Sequence, residues 1–263
     1  MALTITNVQN YFDTDNQNPY ETSGSLVPTT GDNGGATYTL TAGRHYFVLV
    51  VNHGSGGGAL PTAVSFDPDG TPVSFALVTD GTTEASSTAI DTDTLKGCSL
   101  WHAHVSSTTA TSFFRLSYAA TQSCCAVVVF YLEGETDSGL FVQVVKANGT
   151  STSPACTMAA FNNADNGLLL CVLRVGGIGT DQITATESRT ELSETLDTER
   201  AHPAVHYQLP NGGDTSVGAS FGTSAAWQVF GIEIKGSAAE AKDFGVVVEA
   251  PIRTTAHSEG GIF

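Results

Sequence analysis

The chain has 263 residues, enough for one large β domain or two of ordinary size. Its 26 Asp and Glu against 10 Lys and Arg give a formal net charge of −16, which argues against a nucleic-acid or anionic-membrane partner, since both need clustered Lys and Arg. Hydrophobic residues make up 41%, ample for real cores, and no apolar segment reaches the roughly 20 residues that span a bilayer.

The chain opens on an alternating segment, Leu3-Thr-Ile-Thr-Asn-Val8, with none of the basic start and apolar core of a signal peptide. The expectation is synthesis in a host cytoplasm without export. Asp13-Thr-Asp15 begins like a calcium loop, but Asn18 stands at the sixth position and Gly24 at the twelfth, where Gly and Glu are needed. Residues 1–23 are expected to form an N-terminal arm or edge strand.

The first unit, 24–136, is organised around Tyr46-Phe-Val-Leu-Val-Val51. A six-residue apolar run rich in β-branched residues, between Gly43 and Gly54, is the pattern of a strand buried on both faces. Around it stand Thr37-Tyr-Thr-Leu40, Val64-Ser-Phe66, Val73 to Val78, Cys98 to Val105, Ser112 to Tyr118 and Ala126 to Leu132. Turn chemistry separates them: Asp67-Pro-Asp-Gly70, where Pro presets φ, and Asp80-Gly81. No helical period of the kind a parallel α/β sheet requires appears.

The second unit, 137–236, repeats the order. Leu168-Leu-Leu-Cys-Val-Leu173 is a second central run, and Pro154 to Met158 matches Ala36 to Leu40. Ala204-Val-His-Tyr-Gln-Leu209 matches Leu100 to Val105, and Val229 to Gly236 matches Val127 to Gly134. Asn148-Gly149 and Asn211-Gly212 carry hairpin-turn chemistry. Thr190 to Leu196 fits one short helix, although its counterpart in the first unit favours a strand. Residues 237–263 read as a C-terminal linker and arm.

Candidate chemistry is sparse. His53-Gly-Ser-Gly-Gly-Gly58 and Gly176-Gly-Ile-Gly179 follow buried strands, but no helix pattern opens behind them to hold a phosphate. Ser55 lacks the nucleophile elbow. His102 and His104, two apart on a strand, share a face with Cys98, yet no further ligand follows at metal spacing. His206 in the matching strand has no neighbouring second His. Cys98, Cys124, Cys125, Cys156 and Cys171 sit in or beside apolar strands and are expected to be reduced and buried. No catalytic, cofactor or metal residues are assigned, and the chain is not expected to be an enzyme.

In the second unit, Thr190-Glu-Leu-Ser-Glu, Ala204 to Leu209 and Ser224-Ala-Ala-Trp-Gln-Val-Phe-Gly-Ile-Glu-Ile-Lys235 together resemble a repeat module of tailed-bacteriophage virion proteins. Cys156-Thr-Met-Ala-Ala-Phe161 and the 168–173 strand fit the same pattern. The resemblance covers 141–236 well and 24–134 more loosely. It implies an all-β fold of two tandem antiparallel, jelly-roll-like β-sandwiches. It also implies a virion location, with the major capsid protein or other virion proteins as partners, in a homo-oligomer such as a trimer. The alternative on the same fold is a carbohydrate-binding module, for which Trp101, Trp227, Tyr11 or Tyr20 would line up on one exposed face.

Overall fold

A computed structural model of the chain describes residues 4–12, 25–26, 38–53, 60–66, 70–88, 90, 97–118, 124–133, 139–175, 181–187, 189–194, 201–210 and 215–236. Every regular element among them is a strand, and no helix is long and apolar enough to cross a membrane. The first half holds β1 (Thr4–Phe12), β2 (Ser25–Leu26), β3 (Arg44–His53), β4 (Ala63–Phe66), β5 (Val73–Leu77), β6 (Ser86–Ser87), β7 (Gly97–Val105), β8 (Phe114–Ser117) and β9 (Cys124–Glu133). The second holds β10 (Phe141–Ser151), β11 (Ala155–Thr157), β12 (Gly167–Val175), β13 (Thr184–Ala185), β14 (Thr190–Glu194), β15 (Ala201–Gln208), β16 (Ser216–Ser220) and β17 (Ala225–Ile234).

The fold is all-β and antiparallel. The first half is one curled sheet in the order β1-β9-β3-β7-β5-β4-β8-β2, with β6 also on β7. Its corner is β5, which pairs with β4 along Val73 to Phe75 and with β7 at Ala76 and Leu77. The second half has a five-stranded sheet, β10-β17-β12-β15-β14, and a three-stranded one, β11-β16-β13. The path β1-β9-β3-β7 is thus matched position for position by β10-β17-β12-β15.

Side-chain alternation places three cores between four layers. On β3, Tyr46, Val48 and Val50 point into the curl of the first half, where they meet Phe66, Phe114 and Leu116. Phe47, Leu49 and Val51 point the other way, into a central core shared with the second half. On β12, Leu169, Cys171 and Leu173 enter that same central core, while Leu168, Leu170 and Val172 pack beneath the three-stranded sheet against Val217, Ala219 and Phe221. This explains the unbroken apolar runs: each central strand has its own half's outer layer on one face and the other half on the opposite face. The expected boundary near 136/137 falls between β9 and β10 in the chain, but the hydrophobic interior crosses it.

The edges of the stacked sheets meet as well. Strand β1 lies against β14. At the opposite side the free edge of β10 is covered by the first half. Asp80 Oδ2 accepts the Val144 N–H at 2.9 Å, and Lys146 Nζ donates to the Ser86 carbonyl at 2.8 Å. Asp80 is itself fixed in a tight turn, its Oδ1 accepting the N–H groups of Thr82 and Thr83 at 2.9 and 2.8 Å. Gly81 supplies the φ of +91° this turn requires.

One expectation changes. Asn148-Gly149 is not a hairpin turn; both residues lie inside β10, opposite Gln228 and Trp227. Gly149 is needed for another reason, since a Cβ there would stand 2.8 Å from Trp227 Cζ2, so the indole lies over bare backbone. Thr190 to Glu194 is strand, as its counterpart in the first unit favoured. Asn211-Gly212, the 13–18 loop, Tyr20 and the 237–263 arm lie outside the described residues.

Candidate functional site

Two groups of polar side chains are built by the sheets. The first stands at one end of the central core. His102 and His104 project from the same face of β7, as their spacing predicts, and antiparallel pairing sets His45 of β3 opposite His104. The three imidazoles stack with His45 in the middle. Its ring centroid is 5.2 Å from that of His102 and 4.6 Å from that of His104, with interplanar angles of 15° and 30°. His45 Nδ1 and His102 Nε2 are 2.9 Å apart, one donating and the other accepting. Phe47 and Phe141 close on His102 at 5.1 and 5.0 Å, Phe141 edge-on from the first residue of β10. Burial, followed by the neighbouring His45 and His104, pushes the His102 imidazole down to about 3.

The stack opens on its outer side to a groove of about 600 Å³. Thr71 to Ser74 form one wall, and His104 with the 105–110 segment forms the other. Six of the eleven lining residues carry hydroxyls, beside Pro72, Val73, Val105 and Ala110. Thr108 and Thr109 also accept backbone N–H bonds from Ala42 and Leu40, which ties the groove wall to the start of β3.

The second group lies on the face of the β14–β15 ribbon turned away from the central core. His202 and His206 are four apart on β15 and share that face; both are buried. A bulge between Glu191 and Ser193 shifts the register of β14. Residues 191 and 194 would face opposite sides of a regular strand, so the bulge turns both carboxylates toward the histidines. His202 Nε2 stands 2.9 Å from Glu194 Oε1, which also accepts the Ile183 N–H. Burial opposes the Glu194 charge, but the His202 and Ile183 hydrogen bonds outweigh it and lower its titration. Glu191 is raised, by burial first and then by Glu194. Burial pushes His206 down to about 4. Among the described residues no three His, Cys, Asp or Glu side chains converge to hold a metal ion.

The remaining residues singled out in the sequence take structural places. Cys98 and Cys171 enter the central core from facing sheets, and burial pushes both thiols up, with Cys171 adding to the effect on Cys98. Both are free thiols. Burial likewise pushes the Cys156 thiol up to about 12. Trp101 and Trp227 are buried, each giving its indole N–H to a serine, Ser99 and Ser151, at 2.9 Å. Neither tryptophan therefore belongs to an exposed sugar platform. The side chains of Tyr11, Cys124 and Cys125, and the 54–58 and 176–179 glycine loops with Ser55, lie outside the described residues.

Sequence reasoning did not bring His45 to His102, because only strand pairing joins residues 57 apart. It also passed over His202; the i, i+4 spacing with His206 was the available signal. No protein-family model matches the chain, and no curated protein matches it.

Proposed function

We propose that this is a structural virion protein of a tailed phage, a capsid decoration or cement protein or another head or tail surface component, working through protein–protein contacts. It is built from two copies of one sandwich unit; the matched strand paths of the two halves and the paired sequence segments support that reading. The observation that carries the function is the shared central core. Among the described residues the thiols and both tryptophans are buried, and the two halves share one interior as a four-layer block, acidic overall with a net charge of −16. Such a block acts by being held in place. Its charge complements a basic lattice, which favours encounter and register.

The test is immuno-electron microscopy. Antibody raised against the recombinant protein is expected to decorate the surface of virions purified from its source. Intact and disrupted particles that both stay unlabelled refute the proposal. Salt that leaves release from the particle unchanged refutes the electrostatic part alone.

The second reading is recognition of a host glycan, for which the hydroxyl-lined groove beside His104 is the available site. A glycan array with no bound sugar removes it.

A further inference from the structure

We propose that the groove between the 71–74 and 105–110 segments binds one ring of a neutral sugar, whose oxygens accept hydrogen bonds from the Thr108 and Thr109 hydroxyls. This rests on the glycan reading above and gives it a ligand class and a set of donors.

The groove has the size and the lining for such a ligand. Its volume of about 600 Å³ lies within the roughly 300–1,000 Å³ of small-molecule sites. Hydroxyls come from both walls, Thr71 and Ser74 on one side and the 106–109 run on the other. Pro72 and Val73 supply apolar surface between them. A pyranose carries both kinds of surface, a rim of hydroxyls and a C–H face.

Backbone pairing sets the wall in place before any ligand arrives. Tyr38 and Ser112 exchange N–H to carbonyl bonds of 2.7 and 2.8 Å, and the Thr109 N–H donates to the Leu40 carbonyl at 2.9 Å. At the other end the Gly43 N–H donates to the Val105 carbonyl at 2.7 Å. The 105–112 segment is thus tied to residues 38–43 along its length, so little ordering is left for binding to impose. The His104 ring, which also lines the groove, is stacked on His45 at 4.6 Å.

The hydrogen bonds already made set the direction of the new ones. Thr109 Oγ1 accepts the Leu40 N–H at 2.9 Å, and Thr108 Oγ1 accepts the Ala42 N–H at 3.1 Å. One lone pair of each oxygen is so used, and each hydroxyl keeps its own hydrogen to donate. Two neighbouring donors call for acceptor oxygens. Sugar hydroxyl and ring oxygens accept, and so do carboxylates and phosphates. A chain of net charge −16 repels the anions and leaves the neutral sugar.

The test follows the amide signals of the full-length chain by NMR during titration with methyl glucoside, methyl galactoside, methyl mannoside and N-acetylglucosamine. Each is raised to about 50 mM, far above the dissociation constant of about 1 mM expected of so small a ligand. Glucuronic acid and N-acetylneuraminic acid are the charged counterparts. At least one neutral sugar is expected to shift the amides of Ser74 and residues 106–109 saturably, with both acids weaker by about tenfold or more. Thr109→Val is expected to weaken that binding about tenfold, and Thr109→Ser to restore it. Thr109→Val also removes the acceptor of the Leu40 N–H, so should it not fold, Ala110→Trp decides. Ala110 is an exposed lining residue, and an indole there is expected to fill the groove and abolish the shifts. Groove amides that no neutral sugar moves overturn the proposal, as do acids bound equally well or binding that survives Ala110→Trp. The glycan reading falls separately. A sugar retained on the array by both the unmodified and the Ala110→Trp protein keeps that reading and removes this site, whereas an array with no bound sugar removes both.

Discussion

Phe130→Ala tests whether the two halves fold as one. Phe130 lies on β9 with no exposed surface, in the central core, stacked flat on Phe47 with centroids 5.0 Å apart and planes 4° from parallel. Truncating a fully buried phenylalanine costs about 3–5 kcal/mol, and loss of the ring pair places this one at the upper end. For a chain of this size a kcal/mol lowers the melting temperature by about 2–4 °C, so a drop of about 6–20 °C is expected. The informative result is which part of the chain melts early. Trp101 stands on β7 of the first half and Trp227 on β17 of the second. Trp101→Phe and Trp227→Phe backgrounds therefore give each half its own fluorescence signal. Because residues from both halves line the core that Phe130 fills, both signals are expected to shift together. If the Trp101 signal moves down while the Trp227 signal stays in place, the halves are independent and the shared core does not couple them.

Two further substitutions probe the contacts that hold strand β10. Gly149→Ala brings a methyl group within 2.8 Å of the Trp227 indole and is expected to destabilise by about 1–3 kcal/mol in urea denaturation; an unchanged midpoint would falsify the close-approach account. Burial opposes ionisation of Asp80, but N–H and hydroxyl donors from Thr83, Thr82 and Val144 outweigh it and hold its carboxyl at about 2. A depressed carboxylate gives stability that is present above the unfolded value near 3.8 and lost as pH falls through about 2. Asp80→Asn is expected to flatten the stability-versus-pH curve across that window, and a curve identical to the unmodified protein's counts against the clamp.

Local pattern made the strands legible. The runs at 46–51 and 168–173 lie within β3 and β12, and the alternation of Thr4 to Val8 belongs to β1 at a sheet edge. What covers each face was not legible. Parity says that Phe47 and Val48 point to opposite sides, but both are apolar, and nothing local says that one meets Phe66 and the other the second half. Asn148-Gly149 shows tertiary structure overriding turn chemistry: the dipeptide favours a hairpin in isolation, but ten paired residues of β17, Trp227 among them, hold it extended. The polar clusters were hidden for related reasons. His45 joins His102 only once β3 and β7 pair, and Glu191 joins Glu194 only because one residue of β14 bulges.

A sheet that is apolar on both faces cannot leave one of them in water, and this bears on residues 1–136 expressed alone. Excision would uncover Phe47, Leu49, Val51, Leu100, Val128, Phe130 and Leu132 on one side of a single sheet, all buried in the intact chain. At about 1.5–3 kcal/mol per large side chain, burial worth roughly 10–20 kcal/mol is lost. A domain is typically stable by only about 5–15 kcal/mol, so the fragment has two outcomes open to it. It unfolds, or it covers the face with a second copy of itself. The second outcome mimics what β12, β15 and β17 do in the intact protein. Sedimentation equilibrium with circular dichroism distinguishes them, and an apolar patch of this kind predicts either a dimer with strand signal or an unfolded, aggregating chain. A folded fragment that stays monomeric and melts where the full chain does would mean that the central core contributes little, and the description of the two halves as one block would have to be abandoned.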